Sequence, residues 1–296
     1  MLILKPIPHR TIWGGSLFSK YFDGEFGSVG HLYSVFDSNG ESSLILNKNQ
    51  TLHEYFSVNK SRFGLERYKE FPLIIAMLDA SDNLSIQVHP DDNLAREMES
   101  AQYGKNESWY FLRAPRSGKI FNGSKIKSKD EIQKLLQSGR GSEISDEIEI
   151  HDGDYIYIPA GTLHSLTAGS IIYEIEENSE YTYRFYDFDR VDSFGNKRQL
   201  HIEKALRALK VDNRSVVKKY DKSITERMYV TNLLENVSSY KNDSDMLDCV
   251  TIMDENFDTT LENVRIRFGM SLILEPEESV ELSASKIMSA RILKNA

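Results

Sequence analysis

Short alternating runs dominate the chain. In "SLILN", "LSIQVH", "SWYFL", "DYIYIPAG", "SIIYEIEE" and "YTYRFYDF" apolar and polar positions trade places, and Gly, Asn, Asp or Pro bound many of the runs. Successive side chains of a strand point to opposite faces, so this period predicts half-buried strands of an antiparallel sandwich or barrel. Within "LSIQVH" the alternation sorts Leu84, Ile86 and Val88 to one face and Ser85, Gln87 and His89 to the other.

Helical periods are fewer. "KDEIQKLLQSG" sets Ile132, Leu135 and Leu136 on one stripe, with Asp130 as candidate N-cap and Gly139 as the stop, and "LHIEKALRALK" around Ala205 predicts a second helix. After a polar, basic stretch near residues 213–223, strand patterns return in "ERMYVTNLL", "CVTIMDE", "RIRFGMSLIL" and "ARILKN". The expectation is a mainly β protein in two parts: residues 1–212 with small helical insertions, and residues 213–296 as a C-terminal β domain. A chain of 296 residues is long enough for both.

Composition narrows the partners. A net charge of -9 lacks the basic face that nucleic acid or an anionic membrane requires, which leaves a small molecule as the expected partner. The opening "MLILKPIPHRTIWGG" is broken by two prolines and fits neither a signal peptide nor a transmembrane helix. The single cysteine, Cys249, rules out an intrachain disulfide and reads as a buried, inert thiol. The expected setting is the cytoplasm, with a monomer or a homodimer as the assembly.

The candidate chemistry lies on the polar face of "LSIQVH". Gln87 and His89 are followed by Glu107 at the mouth of the next run and by His164 just after a Pro-Ala-Gly turn. Two imidazoles, a carboxylate and an amide oxygen suit Zn²⁺ or another borderline divalent ion. The lack of thiolates favours a site with positions left open for water or substrate. His9, His53, His151 and His201 carry no such pattern and read as ordinary hydrogen-bonded groups.

The spacing G-x5-P-x-G-x2-H, from Gly153 through Pro159 and Gly161 to His164, resembles the second sequence motif of the cupins, jelly-roll barrels in which that histidine points inward as a metal ligand. The asparagine often found four residues later is replaced by Ala168. More specifically, "RTIWGG", "FPLIIAMLDASDNLSIQVHPDD", "GKNESWYFL", "GDYIYIPAGTLHSL", "EIEENSEYTYRFYDFDR" and "GNKRQLHIEKAL" occur in the order seen in type I mannose-6-phosphate isomerases, and the chain is similar to their short bacterial form. The resemblance implies a cupin barrel, interconversion of mannose 6-phosphate and fructose 6-phosphate, and one zinc ion per chain. It places the metal ligands at Gln87, His89, Glu107 and His164, the active-site arginine at Arg184, the active-site lysine at Lys105 and a carboxylate at Glu174.

An aldose–ketose isomerase must remove a proton beside a carbonyl and stabilise the enediol that results. Glu174 is the candidate base, with Lys105 or a metal-bound water as alternatives. Arg184 and Lys105 would supply fixed positive charge, and Ser85 and Arg184 are candidate donors to the phosphate. The plainer readings make Glu174 a solvated edge charge among Glu176, Glu177 and Glu180, and Lys105 a surface cation. Ala76 stands where the family commonly has a lysine, and His31 and Tyr33 replace an acid and a tryptophan. These departures leave a second function class open, a non-catalytic metal-containing cupin that binds a sugar phosphate as a sensor or accessory protein.

Overall fold

The alternating runs fold into three stacked sheets. The computed structural model describes residues 1–24, 26–192 and 194–294, so Asn295 at the end of "ARILKN" lies outside the described residues. A seven-stranded antiparallel sheet runs in the order Val217–Lys219, Asp154–Ile158, Glu107–Arg113, Ile171–Glu177, Leu73–Asp79, His31–Val35 and Ile7–His9. Facing it are Ser145–Glu149, Lys119–Ser124, His164–Ser165, Ile86–Val88 and Tyr183–Tyr186, and the two sheets enclose a jelly-roll barrel. The third sheet orders Leu2–Ile3, Ser271–Leu274, Asp248–Ile252, Ser279–Ile292, Tyr229–Lys241 and Ser223–Thr225.

The strand Leu73–Asp79 shows how the layers are sorted. Its Ala76 and Leu78 pack inside the barrel with Trp109, Phe111, Ile120 and Leu166. Its Ile75 and Met77 face the other way, into a core shared with Cys249, Leu272 and Met288 of the third sheet. Both faces are therefore buried, which is why "LIIAMLD" is a nearly unbroken apolar run. Cys249 is buried as expected, and burial pushes its thiol well up from the ordinary range. Pairing crosses residue 212 in both directions. Leu2–Ile3 join Ser271–Leu274 in the third sheet, and Val217–Lys219 join Asp154–Ile158 in the barrel.

Several local expectations need correction. Strand pairing in "LSIQVH" begins only at Ile86, because the Leu84 N–H turns to the Leu166 carbonyl at 2.9 Å. Leu84 accordingly packs with Trp109 inside the barrel, whereas Ile86 and Val88 lie under the helices with Ile132 and Ala205. The helix Lys129–Gln137 is capped by Ser128, whose side chain accepts the Glu131 N–H. Asp130 is not its cap; it sits in the first turn, where a negative charge suits the positive helix end. The helix Ile202–Ala208 forms as expected, but Leu52–Asn59, with a Thr51–Glu54 capping box, and Asp92–Glu99, capped by Asp91, were not anticipated. "RIRFGMSLIL" is two strands, Val264–Arg267 and Ser271–Leu274, broken where Gly269 takes a φ of 79° that side-chain-bearing residues rarely adopt.

Candidate metal centre

Register brings the expected ligands to one place. Gln87 pairs with His164 on one side and with Arg184 on the other. Directly paired residues share a face of a sheet, so all three side chains enter the barrel together. From the opposite sheet come Glu107, paired with Glu176, and Trp109, paired with Glu174. His89 lies just past its strand, where its carbonyl accepts the N–H of Gly161 at 2.9 Å. That bond ties the Pro-Ala-Gly turn to the first histidine.

The ligand atoms then meet at short range. His89 Nε2 lies 3.2 Å from Glu107 Oε2, and His164 Nε2 lies 3.2 Å from Glu107 Oε1. All three side chains are buried. His89 Nδ1 is 2.9 Å from the Tyr181 carbonyl and His164 Nδ1 is 2.9 Å from the Thr162 carbonyl. A carbonyl can only accept, so both Nδ1 atoms carry a hydrogen, and in the neutral tautomer each Nε2 presents a lone pair to the carboxylate. Among the described residues, His89 Nε2 and Glu107 Oε1 have no hydrogen-bond partner. Lone pairs facing one another in a dry interior are unfavourable unless a cation stands between them. A tetrahedral ion with bonds of about 2.1 Å has ligand-to-ligand edges of about 3.4 Å, close to the spacing found.

Gln87 stands beside this set. Its Nε2 is 3.4 Å from His164 Nε2, and its Oε1 accepts the Ser85 hydroxyl at 2.9 Å. Half a turn of this amide would aim the oxygen at the ion, and the Ser85 hydroxyl, which both donates and accepts, would then receive the Nε2–H. Burial lowers His89, which keeps the imidazole neutral. Burial also works against a charge on Glu107, but the Lys105 ammonium outweighs it and holds the carboxyl well below its ordinary range. Neutral imidazoles and an ionised carboxylate are the states a divalent metal needs, so these residues fit such an ion.

A cavity of about 290 Å³ opens over the ligands, and Ser85, Lys105, Glu174 and Arg184 line it. Lys105 Nζ is 2.9 Å from Glu176 Oε2 and 3.2 Å from Glu107 Oε2. Burial opposes its charge, but Glu176, Glu107 and Glu174 raise it well above the ordinary lysine range. Glu174 Oε1 accepts the Trp109 indole N–H at 2.6 Å, while its Oε2 has no partner. Burial, then Glu176 and Glu107, push this carboxyl well up. Among the described residues the Arg184 guanidinium has no ion pair. Its Nε is buried without a partner, and burial, then Arg198, lower it. Arg198 itself is taken, donating from Nε to Asp187 Oδ2 at 2.8 Å.

All eight residues singled out in the sequence thus stand around one cavity or its floor. The plainer readings of Lys105 and Glu174 fail, since both are buried. Glu176 and Glu177 are buried as well, so the acidic run is no solvated edge there; of that group only Glu180 is exposed. Glu176 was missed as a site residue, although its place two positions after Glu174 on one strand puts it on the same face. The departures cluster too. Ala76 pairs with both Glu174 and Tyr33, and the His31 ring stacks 5.3 Å from Tyr33 and meets Trp13 edge-on at 5.0 Å. Burial pushes His31 down to about 3, which makes this wall neutral and aromatic. Among the remaining histidines, His53 lies 3.1 Å from Asp37 and His201 accepts the Arg184 N–H at 3.3 Å.

A jelly-roll barrel with an inward His, His and Glu set that could hold a metal ion under an open cavity is a cupin arrangement. Comparison with known proteins sharpens this. The model of the phosphomannose isomerase type I catalytic domain matches residues 1–110. The mannose-6-phosphate isomerase of Streptococcus mutans is 36% identical over 215 residues, which cover 71% of this chain and 68% of that protein. A probable mannose-6-phosphate isomerase of Bacillus subtilis, GmuF, is 35% identical over the same length and shares. The crystal structure of a mannose 6-phosphate isomerase from Bacillus subtilis superposes with a TM-score of 0.82 at 28% identity, covering 98% of each chain. The chain belongs to the type I mannose-6-phosphate isomerase family.

Proposed function

We propose that this protein interconverts mannose 6-phosphate and fructose 6-phosphate through an enediol, with one zinc ion held by Gln87, His89, Glu107 and His164. The observation that carries the proposal is the set of mutually facing groups on His89, His164 and Glu107 at the floor of a cavity that also holds the half-buried guanidinium of Arg184, without an ion pair among the described residues. When bound, the ion supplies a Lewis acid for the C1 and C2 oxygens and a positive potential that draws nearby carboxyl pKa values down.

The chain's own residues supply the rest. Glu174, through the oxygen that Trp109 leaves free, takes the proton from C2 of the aldose and returns it to C1, while the hydroxyl proton on O2 passes to O1. Its burial places its proton affinity above that of an ordinary carboxylate, which is what a base acting on a weak carbon acid requires. Lys105 is fixed as an ammonium between Glu176 and Glu107, so it serves as a hydrogen-bond donor to the substrate oxygens and not as the base. Arg184 and Ser85 line the same cavity and supply donors to the phosphate, and the uncompensated charge on Arg184 favours a dianion there. Trp109 holds Glu174 Oε1 and leaves Oε2 to do the chemistry.

A non-catalytic sugar-phosphate binder would have no use for Glu174 and Lys105 in these positions. The deciding experiment is proton exchange: zinc-loaded protein should exchange the C2 proton of mannose 6-phosphate with solvent while forming fructose 6-phosphate. Stoichiometric sugar-phosphate binding without exchange would contradict the proposal.

A further inference from the structure

Asn106 stands between Lys105 and Glu107, yet its side chain serves neither the cavity nor the ligand set directly. Its Oδ1 accepts the Ala160 N–H at 2.8 Å, and its Nδ2 donates to Glu177 Oε2 at 2.8 Å. The Glu177 N–H donates in turn to the Asn106 carbonyl at 3.0 Å. Asn106, Ala160 and Glu177 are all buried, so leaving any of these groups unpaired would be unfavourable.

One end of this link leads to the metal ligands and the other to a buried carboxyl braced by an arginine. Ala160 lies in the turn whose Gly161 N–H holds the His89 carbonyl at 2.9 Å. The same turn continues to Thr162, whose carbonyl receives His164 Nδ1 at 2.9 Å. On the other side, Glu177 Oε1 is 3.6 Å from Arg227 Nε, and Arg227 Nη2 donates to Asp92 Oδ2 at 2.7 Å. A single side-chain amide therefore spans the segment that carries Glu107 and the turn that aims both histidines. An amide suits both partners, because one is an N–H that needs an acceptor and the other a carboxyl oxygen that takes a donor.

We propose that Asn106 is a positioning residue of the metal centre: braced by Glu177 and Arg227, its amide fixes how far Glu107 stands from His89 and His164. The inference rests on the metal-centre reading above. It goes further in assigning the geometry of that centre to a residue that touches neither metal nor substrate.

The test is a Co²⁺ titration of the metal-free protein, followed by the visible ligand-field bands, with thermal unfolding of the same samples as a control. Asn106→Asp keeps the acceptor for Ala160 but, in a titration held well above the pH of about 7 to which burial pushes Glu177, sets two carboxylates against each other. Its Co²⁺ affinity should fall about 10–100-fold, with altered bands, as is typical when the partner of a ligand is lost. The double variant Asn106→Asp with Glu177→Gln restores a donor–acceptor pair in the reverse sense and should return affinity and bands close to those of the unmodified protein. If Asn106→Asp does not fold, Asn106→Ser, too short to reach both partners and uncharged, is expected to show the same loss. Unchanged Co²⁺ affinity and bands in the folded single variant, even with a lowered melting temperature, would overturn the assignment. Failure of the unmodified protein to bind Co²⁺ would overturn the metal-centre reading, and the assignment with it.

Discussion

Glu107 and His164 face one another across 3.2 Å through atoms that both accept, and Glu107 faces His89 in the same way through its other oxygen. One carboxylate thus stands between two imidazoles whose hydrogens are committed elsewhere, to the carbonyls of Tyr181 and Thr162. The arrangement is unfavourable alone and favourable around a cation.

It follows that removing either imidazole should empty the site. His89→Ala and His164→Ala are expected to bind zinc well below one equivalent per chain after dialysis against a weak chelator, with the circular dichroism of the fold retained. Full metal content in both variants would remove these histidines from the site.

Arg184 should matter to turnover and not to metal. Its half-buried guanidinium lines the cavity without a carboxylate partner among the described residues, so Arg184→Ala is expected to keep its zinc while losing about 10²–10³-fold in kcat/KM for mannose 6-phosphate, as for other fixed charges at a reacting centre. Near-normal activity would show that the phosphate and the developing charge are handled elsewhere.

Glu174→Gln is isosteric and can still accept the Trp109 N–H. If Glu174 Oε2 moves the proton, this variant should retain metal and sugar-phosphate binding while C2 proton exchange falls by about 10²–10⁴-fold. Exchange at the unmodified rate would pass the role of base to another group.

Much of this site was visible in the chain before any coordinates, and the reason is strand geometry. Gln87, His89, Glu107 and His164 sit in or beside runs of period two, so their inward direction follows from their apolar neighbours. What stayed hidden depended on pairing between distant strands. Glu176 looked like one more charge in an acidic run, and only its register opposite Glu107 and its contact with Lys105 show it buried and paired. Leu84 kept the alternation on paper but lies outside the strand. The Asp92–Glu99 helix has few apolar positions and only Ala95 buried, so it carried a weak periodic signal, although its cap at Asp91 was there to find. The placement of residues 2–3 in a sheet with residues 271–274 leaves no local trace at all.

The third sheet offers a pH test away from the site. Asp248 is buried there, Tyr240 donates to its Oδ2 at 2.6 Å, and its Oδ1 has no partner. Burial pushes this carboxyl up to about 6, against the effect of the Tyr240 bond. A raised acid binds its proton more tightly in the folded state than in the unfolded one, so stability falls as pH climbs from about 4 to about 6 and then levels. The loss is on the order of 3 kcal/mol from this group. Asp248→Asn removes it. The melting temperature of the variant relative to the unmodified protein should therefore rise across that interval and stay flat above it. A difference independent of pH would show that Asp248 is not held protonated.

The central claim is that these four side chains bind one divalent ion together, and X-ray absorption at the zinc edge of the zinc-loaded protein tests it most directly. Two imidazole nitrogens and further oxygen ligands at about 2.0–2.2 Å, with no sulfur, are the expected sphere. Zinc without imidazole scattering, or protein that takes up no zinc at all, would contradict it.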